Sequence, residues 1–256
     1  MLAALLKTSK SRFPVTIISL SSFSCIASAI SSAGLLRIAS EAEIDSNKIR
    51  NRDLKKRDFE VLSNAANTIY NSNIYVNSSK KVTVHDIKAI ARRHVRNNPD
   101  TKFIAVDYIQ LIRDSKELRH DKRLANEEKS LVLTELAAEL NIPVIALAQL
   151  SRQCEMRTNK RPMPSDLKEA GQIEQDAHII AFLYRGFKYG DKYKNSKGVD
   201  VDYNENDVDV IISKNREGQT GTVMLEFKGE YSKFYNIDVV HEEEETWYDE
   251  QEIPEW

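Results

Sequence analysis

Phosphate cradles, cysteine frameworks and histidine clusters are all missing from this chain. Only eight of its 256 residues are glycine. Nowhere does it contain G-x-x-x-x-G-K-[ST], in which backbone N–H groups and a lysine hold a nucleotide's phosphates. Its two cysteines, Cys25 and Cys154, lie far apart and form no C-x-x-C. That excludes a disulfide framework and the common zinc sites, and it fits a reducing, cytoplasmic compartment. His85, His94, His120, His178 and His241 are scattered without ligand spacing, so they read as surface or packing residues. A membrane span is not expected either. The stretch from Phe13 to Leu36 has no charge and follows Lys7, Lys10 and Arg12, but it includes seven serines and a proline. A spanning helix needs about 20 predominantly apolar residues. PVTIISL followed by a Ser/Ala-rich stretch instead predicts a buried strand and then a buried helix.

The hydrophobic share, 41%, is enough for one substantial core or two modest ones and too high for general disorder. A net charge of -2 hides an asymmetry. Residues 241 to 256, HEEEETWYDEQEIPEW, hold eight acids and no lysine or arginine, which leaves 37 basic against 31 acidic residues in the body. Such an end reads as a solvated acidic tail. The mild basic excess of the body permits nucleic-acid contact without arguing for it.

From Val15 onward, short β-rich runs alternate with longer segments of helical period, the signature of βαβ units and a mostly parallel sheet. The runs are VTIISL (15 to 20), IYV (74 to 76), FIAV (103 to 106), PVIALA (143 to 148), HIIAFLY (178 to 184), DVIIS (209 to 213) and TVMLEF (222 to 227). Between them, LKKRDFEVLSNAANTIY places Leu54, Val61, Leu62, Ala65, Ala66 and Ile69 near one helical face. TVHDIKAIARRHVRNN opens with Thr83 and Asp86 in capping-box spacing and turns Val84, Ile87, Ile90, Ala91 and Val95 inward. NEEKSLVLTELAAEL repeats the pattern with Leu131, Leu136 and Leu140, and Asn141-Ile142-Pro143 ends it. The last three runs lack helices between them, and REGQTG (216 to 221) is turn-rich, so the sheet is expected to finish in an antiparallel hairpin. Two long connections, 150 to 177 and 185 to 206, exceed ordinary loop lengths, and such loops are usually functional or mobile.

Four features carry candidate chemistry. Asp107 ends the apolar run of KFIAVDYIQLI, at the carboxyl edge where ligands bind in open α/β sheets; it is either a Mg²⁺-holding acid or a loop charge. Gln149 ends PVIALA at the same edge and can either orient a water or satisfy a nearby backbone group. Lys214 and Arg216 follow VIIS in SKNREGQTG, as solvated loop cations or as fingers that neutralise transition-state charge on a neighbour's nucleotide. The loop from Arg152 to Gly171 carries Arg152, Arg157, Lys160, Arg161 and Lys168 with few aromatics. That composition favours tracking a sugar-phosphate chain over stacking on bases.

In order along the chain, FIAVDYIQLI, LNIPVIALAQLSR, RPMPSDLKEAGQIEQDAHIIAFLYR and VIISKNREGQTGTVMLEFKGEYSKFYNI closely resemble the motor domain of DnaB-type replicative DNA helicases. The likeness extends backward through IYVNSSKKVTVHDIKAIARR and EAEIDSNKIRNRDL. It divides the chain into a non-matching segment (1–13), a motor domain truncated at its amino end (14–237) and an acidic, disordered tail (238–256). What the resemblance implies is a RecA-like P-loop NTPase core, α/β, with a mostly parallel sheet flanked by helices. It also implies a hexameric ring, ATP and Mg²⁺ as cofactors, and single-stranded DNA as partner in a bacterial or phage-encoded replication system. Carried over by residue, Asp107 becomes the acid that holds Mg²⁺ through water, and Gln149 the glutamine that couples the γ-phosphate to the DNA loops. Lys214 and Arg216 become the cations given in trans, while Lys168, Glu169 and Gly171, with Arg152 nearby, become the DNA contacts.

The departures from the family pattern shape the functional expectation. The family's phosphate-binding loop lies just upstream of the strand read here as VTIISL, but this chain offers only MLAALLKTSKSRF there. Ser21 stands where the family has a glutamate that polarises the attacking water, and a serine hydroxyl is no general base at neutral pH without activation. Also missing is the family's amino-terminal helical domain. These differences predict ATP affinity and turnover near background for the isolated chain. Two functional readings follow: an impaired replicative helicase motor, or an inactive fragment that binds single-stranded DNA or joins a ring with an intact helicase.

Overall fold

A computed structural model describes residues 2–7, 37–77, 79, 81–167, 171–195 and 198–237. Its elements run β1 (Leu2–Lys7), α1 (Ser46–Asn51), α2 (Lys56–Tyr70), α3 (Val84–Asn97), β2 (Ile104–Val106), α4 (Lys122–Leu140), β3 (Val144–Gln149) and α5 (Gly171–Asp176). There follow β4 (Ile179–Tyr184), β5 (Lys192–Lys194), β6 (Asp200–Asp202), β7 (Asp207–Asn215), β8 (Gly221–Lys228) and β9 (Lys233–Asn236).

Seven of these strands form one sheet in the order β2-β3-β1-β4-β7-β8-β9. β2 and β3 pair in parallel, with Val106 opposite Ala146. β1 lies antiparallel to both neighbours, Leu2 opposite Gln149 and Ala3 opposite Phe182, so β4 runs in the same direction as β2 and β3. The carboxyl ends of β2, β3 and β4 therefore share one edge. β7 reverses direction, with Asp209 opposite Tyr184 at that edge and Asn215 opposite Ile179 at the other. Continuing through β8 and β9, the chain makes the antiparallel finish expected from REGQTG.

Local sequence explains the helices. Thr83 and Asp86 form the anticipated capping box: the Asp86 N–H donates to Thr83 Oγ1 at 3.2 Å and the Thr83 N–H to Asp86 Oδ2 at 2.8 Å. Asp121 caps α4 by accepting from the Leu124 N–H at 3.1 Å, and Asn141 closes it in the left-handed conformation with φ 55°. α4 lies on β3 and against α3. Across the α3–α4 seam run Lys88–Glu135 at 2.7 Å and Arg92–Glu139 at 2.6 Å. Beneath them, Ile109, Leu136, Ile180 and Phe182 are fully buried. Each such side chain contributes about 1.5–3 kcal/mol by leaving water.

Some expectations fail on packing. IYV (74 to 76) forms no strand; Ile74, Tyr75 and Val76 are exposed and pair with no neighbour in the sheet. Leu131 and Val61 face solvent, because the buried stripe of α4 passes through Lys129, Val132 and Leu133, and that of α2 narrows to Ala65. The other strands appear within one or two residues of their expected runs, but β1, β5, β6 and β9 were not anticipated. The expected strand VTIISL, the helix after it, Ser21 and the acidic tail lie outside the described residues.

Candidate nucleic-acid and nucleotide interface

Asp107 immediately follows β2 at the carboxyl edge, and its peptide bond to Tyr108 is cis. It keeps an exposed surface, but the surrounding protein shields one side, and this burial raises its carboxyl above the ordinary aspartate range. A neighbouring side chain ties it to the next strand. The amide of Gln110 accepts from the Gln149 N–H at 3.1 Å and donates to the Gln149 carbonyl at 3.3 Å. Both backbone groups at the end of β3 are thereby satisfied, and the Gln149 side chain stands exposed beside the loop that carries Asp107. The sequence brought Asp107 and Gln149 to one edge; Gln110, which holds the Gln149 backbone, was missed because a glutamine in a short turn carries no pattern.

Beyond Gln149, Leu150 bridges to Leu167, which closes residues 151 to 166 into a self-contained excursion. Asp166, buried at its centre, accepts from Arg157 at 2.7 Å and from the Met163 N–H at 2.9 Å, while its own carbonyl accepts from the Ser151 N–H at 2.8 Å. Arg161 reaches across to β7, where it pairs with the fully buried Asp209 at 2.7 Å and donates to the Tyr203 hydroxyl at 3.0 Å. Tyr203 donates in turn to Asp209 at 2.6 Å, and burial together with that carboxylate pushes its phenol up to about 12. The Tyr203 ring crosses Gly186 so closely that an added Cβ there would collide with it. Arg157 and Arg161 are thus occupied in holding the loop together. Arg152 is exposed, and Lys160 lies over the Tyr189 ring at 5.1 Å. No sequence signal could have separated the two occupied arginines from the open one, since their partners are 9 and 48 positions away.

Lys214 and Arg216 fall at the other edge. Lys214 Nζ donates to the carbonyls of Glu174 at 2.5 Å and Gln175 at 3.0 Å, Arg216 donates to the same Gln175 carbonyl, and the Arg216 N–H donates to the His178 carbonyl at 3.0 Å. Burial and the nearby Arg216 charge lower the Lys214 ammonium from its usual value. Gly171 is the first residue of α5, whereas Lys168 and Glu169 lie outside the described residues. One chain therefore gathers Asp107, Gln149 and Arg152 at the carboxyl edge and leaves Lys214 and Arg216 a strand's length away.

Residues 6–236 match the family described as DnaB-like helicase C terminal domain. The chain belongs to this family. Replicative DNA helicase DnaB of Geobacillus stearothermophilus is 39% identical over 217 residues, covering 85% of this chain and 44% of that protein. Replicative DNA helicase DnaC of Bacillus subtilis is 39% identical over 201 residues, 78% of this chain and 42% of that one. The chain thus spans less than half the length of these two relatives. Among solved structures, one described as an ATPase domain superposes with a TM-score of 0.74 at 38% identity, over 83% of this chain and 72% of that one. A DnaB-like replicative helicase studied with primase gives the same score and identity, over 83% and 49%. The fold is accordingly the RecA-like α/β fold of the family.

Whether these residues suit ATP and Mg²⁺ can be tested on the geometry. Asp107 is a single acid, and among the described residues no group of three or more His, Cys, Asp or Glu could hold a metal. A nucleotide-bound Mg²⁺ does not require such a cluster: one carboxylate reaching the ion through water is enough, and Asp107 would be that group. β1, next to β3 in the sheet, enters at the carboxyl edge with Leu2 and leaves at the opposite edge with Lys7. No described helix has the length and apolarity to cross a membrane.

Proposed function

We propose that this chain is a replicative-helicase motor polypeptide, cytoplasmic and working in DNA replication, whose own ATP turnover is impaired and which acts by joining a ring with an intact relative. Its unit would be residues 14–237, and its partners would be single-stranded DNA and that helicase. The observation that carries this reading is the separation of Asp107 and Gln149 from Lys214 and Arg216 across the sheet. Cations so placed cannot serve the acid of their own chain, but they suit phosphates bound by a neighbour, where fingers of this kind contribute about 10³ to 10⁵ in rate. Arg152, exposed beside Gln149, and the segment entering α5 at Gly171 would contact the DNA phosphates.

The test is ATP hydrolysis, with and without single-stranded DNA, by the purified chain alone and mixed with an intact DnaB helicase. Background turnover alone and an altered rate in the mixture are expected, the alteration disappearing with Arg216→Ala. DNA-stimulated turnover by the chain alone would overturn the impairment. An unchanged rate in the mixture would overturn the shared ring.

A further inference from the structure

Leu167 and the end of α5 lie at opposite edges of the sheet. Leu167 is bridged to Leu150 at the carboxyl end of β3, and α5 ends where Lys214 and Arg216 leave β7. A helix C-terminus presents carbonyls with no intrahelical donor, and cations near it complement the negative end of the helix dipole. Here the donors are the same two side chains that the proposed function offers to a neighbour's phosphates. On its other flank, Ser130 of α4 donates to Asp176 at 2.7 Å, a tether from α5 to α4 that does not involve the cations.

Resting on that reading of the two cations, we infer that Lys214 and Arg216 are positioning residues for α5, and that polyphosphate and the end of α5 compete for them. Two of the three N–H groups of the Lys214 ammonium are taken by the Glu174 and Gln175 carbonyls and one arm of the Arg216 fork by the Gln175 carbonyl, so a polyphosphate that draws several donors takes them from those carbonyls. Engagement of a neighbour's phosphates then withdraws the donors from the end of α5, loosening that helix. By linkage the coupling is reciprocal: a ligand that holds α5 rigid weakens the cations' grip on phosphate by the same factor.

Amide hydrogen exchange of the full chain, with tripolyphosphate as the probe and chloride of matched ionic strength as control, tests this. Tripolyphosphate is expected to speed exchange over residues 173–178 by roughly fivefold, the worth of cations at a helix end, and to leave α4 unchanged. Lys214→Met with Arg216→Met should exchange at the faster rate without the probe and not respond to it, while Arg216→Lys should restore part of the protection. Unchanged exchange in the double variant would overturn the positioning role. Fast exchange in the variant without a tripolyphosphate response in the native chain would overturn the competition. Should the mixed-ring ATPase be unaffected while the exchange response holds, the functional reading falls and the latch stands.

Discussion

At the carboxyl edge of the sheet, Asp209 is buried and meets Arg161 at 2.7 Å, and Asp114, in the segment leaving β2, is buried and meets Lys129 at 2.7 Å. At the opposite edge, Lys214 and Arg216 rest on backbone carbonyls and remain in contact with solvent. Breaking a buried pair strands an uncompensated charge, whereas a solvated cation taken off a helix end can return to water at little cost. The first edge is built to keep one geometry; the second is built so that its cations can let go.

The hardest blow to this contrast is expected from Asp114→Asn. Lys129 is almost wholly buried in the middle of α4, and the substitution leaves its ammonium without a carboxylate, at a cost of about 3–5 kcal/mol in urea unfolding. The same pair sets an acid limit. Burial alone would raise the Asp114 carboxyl, but hydrogen bonds and charge from Lys122 and Lys129 outweigh it and hold it below the ordinary value. A depressed acid contributes stability that is present above its unfolded value, about 3.9, and lost as pH falls through the folded one. The native chain should therefore lose stability below about pH 4 more steeply than Asp114→Asn, read by thermal melts across that range.

Next in size is Asp209→Asn, expected to cost about 2–3 kcal/mol, because Arg161 is a third exposed and keeps the Tyr203 hydroxyl and a place over the Tyr184 ring. Its sharper consequence is local. With the 151–166 excursion released from β7, proteolytic nicking there should rise while the α3–α4 seam stays protected. Equal protection in both regions would sink the idea that this network, and not the Leu150–Leu167 bridge alone, holds the loop.

Sequence patterns revealed β2, β3, β4, β7 and β8 and the long helices α2, α3 and α4 because burial imposes a period, but not β1, α1 or α5; Thr83 with Asp86 announced the start of α3 by chemistry confined to four positions. Asp107 and Gln149 were legible for a related reason: a strand's last polar residue lands at an edge wherever the strand itself can be read. What could not be read depends on pairs distant in sequence. Arg161 and Asp209 look like ordinary loop and strand charges until the fold joins them, and Lys129 interrupts an otherwise apolar stripe only because Asp114 arrives from another segment. IYV misled because β propensity describes fitness for a pleated, half-buried surface, and no strand of the sheet receives residues 74–76.

A milder break at the carboxyl edge is Gln110→Ala. Two hydrogen bonds to the Gln149 backbone are lost, but the site is solvent-accessible and water replaces them, so about 1 kcal/mol is expected in denaturant unfolding. If the hold of Gln110 on the Gln149 backbone matters to the site, this variant should weaken any response of the mixed ring to single-stranded DNA more than it weakens the fold.

The smallest expected loss, Lys214→Met, decides whether the opposite edge is truly the loose one. Its ammonium lies on two carbonyls, but it is partly solvated, and burial and Arg216 already lower its affinity for a proton. Methionine keeps most of the stem's packing, so only the interaction with the helix end is removed, worth about 0.5–1 kcal/mol in global unfolding. A loss above about 2 kcal/mol would mean that Lys214 is held as firmly as Arg161, since only breaking an interior pair costs that much. The two edges would then be held alike, and the cations could not leave α5 for a neighbour's phosphates without unfolding what they support.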